Sequence, residues 1–343
     1  MKRTPANNEL KATAEEQDQL CGTLIDGDFL VRRLFAQGSE SRVYLARQKS
    51  VGDRDVVVKV IDPVVWRLLK QPGKDPENPY LREARLTAIL THSSLAQIFR
   101  TGELDDGRPY LAMEYVKGLT IGAFVRKHGN LDIPQAASLV HQLTDALDCL
   151  HKNDVLFRDL KPEHVLLEPW TLAPFRVRLL DLGHAQVTYQ SDSPTRHGHA
   201  EPLGTPGYMS PEAAEGRAHD ERSDVFSLAA LVYEALAGQP ALNIPNRHPE
   251  ALIEYVLSDG PLPTTPLSEL RPQLPSQLDA VIARAMERNP RKRPDTALDF
   301  CNEFLAALDL GAPRVRPRRG LLARIRNRLA RRKTKSARRP LAE

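Results

Sequence analysis

The sequence predicts an α+β protein in which a β-rich first part precedes a larger, mostly helical part. Two observations support this order. Short runs rich in Val, Leu and aromatic residues, separated by turn signals, dominate residues 29–116. Beyond Gly118, long segments carry apolar residues at helical spacing. With 343 residues, 41% of them hydrophobic, the chain can fill a substantial core, which excludes a protein that is disordered throughout.

The first part contains several predicted strands. Three are indicated by the runs VRRLFAQ, SRVYLAR and DVVVKVI, the last of which holds a nearly continuous run of valines that we expect to be buried. The stretch KQPGKDPENP then predicts a loop, and YLREARLTAIL follows with helical spacing. Two more strands are indicated by AQIFRTGEL and PYLAMEYV, which flank a turn at Asp106 and Gly107.

Three long helices are predicted in the second part, from the segments IPQAASLVHQLTDALDCLHKN, DVFSLAALVYEALAG and LDAVIARAMERN. Asp224 stands at the start of the second segment, where an N-cap aspartate is common. Between the first two helices, the apolar strand-like pieces HVLLE and RVRLLDL enclose a loop. The sequence shows no internal repeat.

Charge is distributed unevenly along the chain. Residues 312–343 contain 13 Lys or Arg and one acid, Glu343, which gives a balance of +12, whereas the rest of the chain has a balance of −8. We therefore expect a loose polar leader at 1–25, a domain at 26–310 and a basic tail at 311–343.

Cysteine usage and hydropathy bear on the compartment. Cys21, Cys149 and Cys301 lie far apart, and their spacing fits neither a disulfide framework nor a zinc site. The first twenty residues lack the apolar segment of a signal peptide. No stretch approaches the roughly 18 apolar residues of a membrane-spanning helix. These features predict a cytoplasmic protein with no transmembrane segment.

Two acids and a lysine lie around the strand-like pieces of the second part. Asp159 precedes the first piece with Lys161 beside it, and Asp181 stands near the end of the second. One carboxylate can accept a hydroxyl proton, the other can hold a divalent metal on phosphate oxygens, and the lysine can neutralise developing charge. The residue types suit phosphoryl transfer, although such residues on loops are by themselves more often solvated surface.

An ordered series of nine motifs surrounds these residues: AQGSESRV, VVVKV, YLREARL, AMEYVKG, FRDLKPEH, DLG, GTPGYMSPE, SDVF and NPRKRP. Over roughly residues 29–305 the series resembles the protein kinase superfamily, most closely the bacterial Hanks-type Ser/Thr kinases. The resemblance implies a bilobal fold. A small β-rich N-lobe with one main helix would cover about 26–116, and a larger helical C-lobe about 117–310.

The resemblance also implies roles for individual residues. Asp159 would be the catalytic base, and Lys161 would lie near the γ-phosphate of ATP. Lys59 would hold the α- and β-phosphates, with Glu83 as its ion-pair partner, and Met113 would be the gatekeeper. The residues expected to bind ATP are Ala36, Gly38, Ser41, Val43, Lys59, Glu83, Met113, Glu114 and Val116.

Further positions match structural and regulatory elements of the family. Asp181 would bind a metal, and Asp224 would anchor the catalytic loop. Arg293 would pair with Glu212. Arg158, beside the catalytic aspartate, is a ready receptor for a phosphorylated activation segment. Thr205, together with the lysine that follows the base, is similar to the Ser/Thr-specific pattern.

Four departures from the family pattern stand out. Ala36 and Ser41 replace two of the three glycines of the phosphate loop. Phe157 and Leu182 are mild replacements of the usual histidine and phenylalanine. The fourth is His164, at the position of the asparagine that holds a second metal. An imidazole nitrogen suits manganese better than magnesium. Alternatively, His164 hydrogen-bonds the base loop and leaves that metal site empty.

The function that fits these features is a Ser/Thr protein kinase that uses ATP with Mg²⁺ or Mn²⁺, acts on protein substrates and autophosphorylates its activation segment. The alternative is a pseudokinase, a nucleotide-binding or scaffold module, supported by the altered phosphate loop and His164. A small-molecule kinase is disfavoured by GTPGYMSPE and SDVF, which resemble the peptide-docking platform of the protein kinases.

The basic tail has a pattern of its own. Leu321, Leu322, Ile325 and Leu329 fall within about 100° of arc at helical spacing, with arginines around them. This combination predicts an amphipathic helix on an anionic membrane surface, so that the protein would be peripheral to the membrane. Nucleic acid or an acidic protein is the rival partner, and a disordered, solvated tail is the third interpretation.

Overall fold

The computed structural model describes residues 19–38, 40–69, 80, 83–86, 90, 92–169, 174–183, 185–187, 204–217, 220–242, 244, 248–260, 262 and 264–309. The chain divides into two compact units. The first contains the described residues up to 90 together with Ala96–Val116, and the second contains His92–Leu95 and the described residues from Lys117 onward. The predicted loop at 70–79, most of the activation segment (188–203) and the basic tail lie outside the described residues.

A six-stranded antiparallel sheet forms the first unit, in the order β1-β2-β3-β4-β6-β5. The strands are β1 (Leu24–Ile25), β2 (Phe29–Gln37), β3 (Ser41–Gln48), β4 (Arg54–Ile61), β5 (Ile98–Glu103) and β6 (Pro109–Glu114). Helix α1 (Pro63–Leu69) follows β4, and residues 80 and 83–86 are also helical. The α+β prediction is confirmed, as are the five strands predicted between residues 29 and 116.

Strand β1 differs from the prediction, because it lies inside the segment expected to be a loose leader. The turn between β1 and β2 explains its presence. Asp26 and Gly27 have φ of 52° and 65°, and the Asp28 amide donates to the carbonyl of Ile25 at 3.0 Å. Positive φ at both central residues matches the twist of a tight hairpin. Leu24 and Ile25 are therefore part of the sheet and not of a loose leader.

Strand β4 has two unlike faces. Val56, Val58 and Val60 are fully buried in a core that includes Tyr44 and Tyr110. The valines of DVVVKVI are thus not a continuous buried run, because successive side chains of a strand point to opposite faces. Lys59 lies on the face opposite this core, with its backbone paired between β3 and β6.

Helices dominate the second unit. They are α2 (Ile121–His128), α3 (Ile133–His151), α4 (Pro211–Ala214), α5 (Glu221–Ala237), α6 (Pro249–Leu257), α7 (Leu267–Leu270), α8 (Gln277–Ala285) and α9 (Ala297–Ala307). Asp132 and Gln135 form a capping box that starts α3. Helix α5 is buried from Ser223 to Tyr233 and packs against α3, α8 and α9. The three predicted helices are confirmed.

Short strands position the loops of the second unit. Strands β7 (Leu119–Thr120), β9 (Val165–Glu168) and β10 (Arg176–Leu179) form one small antiparallel sheet, and β8 (Val155–Leu156) pairs with β11 (Gln186–Val187). In the β9–β10 hairpin, Val165 is opposite Leu179. The residues just before β9 and just after β10 therefore lie at the same end of the hairpin.

Other expectations concern cysteines and membrane spans. Cys21, Cys149 and Cys301 are free thiols, and burial raises the pKa of Cys301 to about 11. Among the helices of the described residues, none combines the length and the apolar character needed to cross a bilayer.

A buried ion pair joins α4 to the segment before α9. Arg293 Nη1 and Nη2 donate to Glu212 Oε1 and Oε2 at 2.7 and 2.8 Å, and the two residues are at most 3% exposed. Ser223 donates a further hydrogen bond to Glu212 Oε1. Although burial opposes ionisation, these bonds and the charge of Arg293 lower the pKa of Glu212 to about 2.

We expect Arg293→Ala to lower the free energy of unfolding by about 3–5 kcal/mol, because it leaves the buried Glu212 carboxylate without its partner. Urea unfolding followed by circular dichroism at pH 7 measures the loss. The double variant Glu212→Gln/Arg293→Leu removes both charges and should recover part of it. Equal stability of Arg293→Ala and wild type would contradict the expectation.

The pair of Glu212 and Arg293 also makes the stability of the fold depend on pH, and this dependence provides a control. The folded-state pKa of about 2 lies below the ordinary value of 4.5. The stabilisation is therefore complete above about pH 4.5 and declines as the pH falls towards 2. Wild type should lose more stability in this window than Glu212→Gln, which has no carboxylate to protonate.

Candidate active site

The loop of residues 157–164, between β8 and β9, is held by a single carboxylate. Asp224, only 1% exposed, accepts hydrogen bonds from the backbone amides of Phe157 and Arg158 at 2.9 and 2.8 Å. His151 Nε2 lies 2.8 Å from the same carboxylate. Burial opposes ionisation of Asp224, but the bonds from His151 and the two amides lower its pKa. The carboxylate thus fixes the loop through its backbone.

Asp224 does not open helix α5, and the expectation that it stands at the helix start is wrong. The helix begins at Glu221, and Asp220 is the N-cap residue, whose side chain accepts from the Arg222 amide. Asp224 lies one turn further along. Its oxygens accept hydrogen bonds from the loop. The exposed aspartate four residues earlier caps the helix instead.

Asp159 is fixed by two side chains. Lys161 Nζ donates to Asp159 Oδ2 at 2.8 Å, and Thr205 Oγ1 donates to Asp159 Oδ1 at 2.8 Å. Lys161 Nζ also lies 2.7 Å from Thr205 Oγ1. Burial opposes ionisation of Asp159, but the charge that His164 carries when protonated, the Lys161 ammonium and the hydrogen bond from Thr205 lower its pKa. The result is an oriented, ionised carboxylate.

His164 lies between the two aspartates of the site. Its Nδ1 is 2.9 Å from the Asp159 carbonyl oxygen, an acceptor, so Nδ1 carries the proton and donates it. Nε2 faces Asp181, 4.0 Å from Oδ2. Burial lowers the pKa of His164 below its ordinary value, although both carboxylates oppose this. Neutral His164 therefore presents an unprotonated Nε2 towards Asp181.

Asp181 follows β10 and has a left-handed backbone, with φ of 61°. Its Oδ1 accepts from the Gly183 amide at 3.0 Å, and the side chain is 24% exposed. The amide of the preceding Leu180 donates to the His164 carbonyl at 2.8 Å. This bond ties the loop before β9 to the residues after β10 and brings the two aspartates together.

In the first unit, Lys59 and Glu83 form an ion pair. Lys59 Nζ lies 3.9 Å from Glu83 Oε2, and their side chains are 14% and 1% exposed. Glu83 belongs to the helical residues 83–86. A carboxylate so deeply buried is stabilised by a nearby cation, so strand β4 and this helix are joined by charge.

The other predicted ATP-binding residues lie on the same sheet. Ala36 pairs with Val43 across β2 and β3, and the Gly38 amide donates to the Ser41 carbonyl at 2.9 Å to close their turn. On and beyond β6, Met113 and Val116 are buried. The Glu114 amide donates to the carbonyl of Gln97 at 2.8 Å.

A family model described as the protein kinase domain matches residues 29–305. The chain belongs to the protein kinase family. It is 30% identical over 297 residues to the serine/threonine-protein kinase pkn3 of Myxococcus xanthus, and the match covers 85% of this chain. It is 34% identical over 268 residues, or 77% of this chain, to the serine/threonine-protein kinase PknB of Mycobacterium leprae.

These relatives are longer than the present chain. The aligned parts cover 52% of pkn3 and 40% of PknB, and a third relative, Pkn1 of Myxococcus xanthus, is covered to 40% at 32% identity. The chain thus spans about half, or less, of the length of the curated relatives it matches.

Members of the kinase family use a nucleotide with a divalent cation. Among the described residues, no group of three or more His, Cys, Asp or Glu side chains is arranged to hold a metal alone. Kinase cations take one or two protein ligands and complete their shell with phosphate oxygens. Asp181 offers an oxygen and His164 a nitrogen, and the two atoms face each other. These two side chains fit the role of the protein ligands.

The chain departs from the family pattern at Phe157 and Leu182, and both residues are buried, at 1% and 5% exposed. Phe157 is held to Asp224 through its backbone amide, so the interaction does not depend on its side chain. The activation segment that would present phosphate to Arg158 lies almost entirely outside the described residues.

Some residues of the kinase site were missed by the sequence reasoning. His151, at the end of α3, contacts Asp224 and lies 3.5 Å from Glu221. Tyr208 donates its hydroxyl hydrogen bond to Glu234, and Ser227 Oγ donates to the Tyr208 carbonyl. Helical spacing gives no sign of such partners, because they lie 73 and 26 residues apart in sequence.

Proposed function

We propose that this chain is a Ser/Thr protein kinase, which transfers the γ-phosphate of ATP to serine or threonine hydroxyls of protein substrates. The observation that carries the proposal is the Asp159 carboxylate, held by Lys161 and Thr205 at 2.8 Å each. An ionised, oriented carboxylate can accept the proton of an attacking hydroxyl. The adjacent ammonium can neutralise charge that develops on the transferred phosphoryl group.

The remaining residues take roles that follow from their chemistry. Lys59, positioned by Glu83, contacts the α- and β-phosphates of ATP. Asp181 holds a divalent cation, which when bound screens phosphate charge. Ala36, Gly38, Ser41 and Val43 bind the nucleotide from one hairpin, and Met113, Glu114 and Val116 bind its base. The loop and the helix around the proton acceptor Asp159 are supported by Asp224, Arg293 and Glu212.

Specificity for Ser and Thr is supported by Thr205, which together with Lys161 resembles the Ser/Thr-specific pattern of the family. Its hydroxyl contacts both Asp159 and Lys161, so the segment that ends the activation region is joined directly to the proton acceptor. Autophosphorylation of that region would give Arg158 a phosphate partner. The pseudokinase alternative has weaker support, since the charged residues that phosphoryl transfer needs are all present.

Charge removal tests the proposal. We expect Lys59→Ala and Asp181→Asn each to abolish autophosphorylation, because each removes a charge matched to phosphate or cation. Asparagine also tolerates the positive φ at position 181. The readout is phosphosite mapping by mass spectrometry after incubation with ATP. Lys49→Ala, which removes an exposed lysine paired with Asp53, is the matched control, and undiminished activity of either site variant would sink the assignment.

We further propose that His164 Nε2 is a ligand of a second cation and that the enzyme prefers Mn²⁺ to Mg²⁺. Nδ1 is committed to the Asp159 carbonyl, the arrangement that orients many metal-binding histidines. Nε2 and Asp181 Oδ2 are 4.0 Å apart. If each of two ligand atoms lies about 2.1 Å from the same metal ion, the two atoms can be up to about 4.2 Å apart. Mn²⁺ accepts nitrogen more readily than Mg²⁺.

We expect His164→Asn to lower the ratio of Mn²⁺- to Mg²⁺-supported rates by about tenfold, the low end of the losses seen when residues that support metal ligands are changed. Pulsed electron paramagnetic resonance of Mn²⁺ bound with a non-hydrolysable ATP analogue gives a readout that is independent of turnover. Wild type should show a directly bound imidazole nitrogen, which His164→Asn should lack. No nitrogen coupling in wild type would place His164 outside the metal shell and favour its role as a loop hydrogen-bonding residue.

We propose that the basic tail binds anionic membrane surfaces. Its balance of +12 and the apolar face of Leu321, Leu322, Ile325 and Leu329 support this over nucleic acid or an acidic protein, because an apolar face adds to binding only where there is a hydrophobic layer to enter.

Removal of residues 312–343 should abolish co-sedimentation with phosphatidylserine vesicles and leave autophosphorylation unchanged. Wild type should bind these vesicles at low salt and less at high salt, and should not bind neutral vesicles. A variant with Asp at Leu322 and Ile325 keeps the arginines and should bind weakly. Equal vesicle binding by full-length and truncated chains would rule the proposal out, and tighter binding to duplex DNA would favour the rival partner.

A further inference from the structure

The ring of Tyr80 lies beside the ammonium group of Lys59. Lys59 Nζ is 5.5 Å from the ring centroid, within the distance of about 6 Å at which a cation is attracted to an aromatic face. Tyr80 is 5% exposed, so water competes little for the contact. The family motifs quoted above give this tyrosine no role.

Tyr80 and Glu83 both approach the Lys59 ammonium, the ring centroid at 5.5 Å and the carboxylate oxygen at 3.9 Å. The face of an aromatic ring carries partial negative charge, and the carboxylate is an anion. Two negative groups therefore lie beside this lysine. Lys59 itself lies on the face of β4 opposite the buried valines.

The two contacts restrain the ammonium in different ways. The Nζ–Oε2 distance of 3.9 Å is that of an ion pair longer than a hydrogen bond, so it constrains direction loosely. The side chain of lysine is flexible and loses much rotamer entropy when fixed. An aromatic face adds a second restraint, and the partial burial of Lys59 strengthens its attraction.

We propose that Tyr80 is a positioning residue that holds the Lys59 ammonium where it meets the phosphates of the nucleotide. This inference rests on the proposed function for its kinetic consequence but not for the contact itself. The ring face, not the hydroxyl, carries the effect, so phenylalanine can substitute for Tyr80 while aliphatic side chains cannot.

Kinetics of matched variants test the role. Tyr80→Leu and Tyr80→Met should each lower kcat/KM for ATP by about tenfold, mainly through a higher KM, and Tyr80→Phe should stay within about twofold of wild type. Melting temperatures report whether each variant is folded. In a Lys59→Met background, Tyr80→Leu should cause no further loss of affinity for a fluorescent ATP analogue. An equal loss in both backgrounds would overturn the proposal.

A spectroscopic readout separates this proposal from the proposed function. Protons on the carbon next to Lys59 Nζ should be shifted upfield by the ring in lysine-labelled protein, with the signal assigned by its loss in Lys59→Met. The shift should persist in Tyr80→Phe and vanish in Tyr80→Leu and Tyr80→Met. A signal that does not respond to these changes overturns the proposal. A normal response in a chain without phosphotransfer contradicts the proposed function instead.

Discussion

The buried carboxylate of Asp224 is the interaction on which the catalytic loop depends. An ionised group so deeply buried is stable only if hydrogen bonds replace the water it has lost. Two backbone amides and an imidazole supply them here. Helix α5, which carries the carboxylate, is buried along most of its length and packs against α3, α8 and α9, among other helices. The loop is therefore attached to a helix in the core of the second unit.

Two residues near this loop have strained backbones that hydrogen bonds hold in place. Arg158 and Asp181 are non-glycine residues with φ of 71° and 61°, a conformation that costs energy and persists only when its surroundings impose it. The Asp224 carboxylate holds the first through its amide, and a bond from the Gly183 amide to the Asp181 side chain supports the second. Each strained residue adjoins or bears a carboxylate that the proposed chemistry uses.

The sequence predicted the elements well where one local pattern decides the structure. Alternating apolar residues located β2 to β6, and helical spacing located α3, α5 and α8. The motif order singled out Asp159, Lys161 and Asp181 as candidates for the chemistry, and their roles stay predictions. Strand β1 was missed, since two apolar residues are too few to show a period, although Asp26 and Gly27 held a turn signal.

Contacts between distant residues were beyond the sequence. Asp220 and Asp224 are both aspartates near the start of α5, and only the position of the loop decides which one caps the helix. Likewise, His164 could be assigned to a metal or to the loop, and the Asp159 carbonyl at 2.9 Å determines which ring nitrogen is left to face Asp181. Such choices depend on which groups the fold brings together from separate segments.

The pair between Glu212 and Arg293 has a consequence for the order in which the chain folds during synthesis. The two residues are 81 positions apart, so at about 5–20 residues per second a ribosome reaches the arginine roughly 4–16 s after the glutamate. Until then, burial of Glu212 would leave its charge uncompensated, and the carboxylate is better solvated outside the core. The sheet of the first unit has by then been synthesised in full. The sheet of the kinase domain can therefore form early, whereas the burial of Glu212 waits until Arg293 has been synthesised.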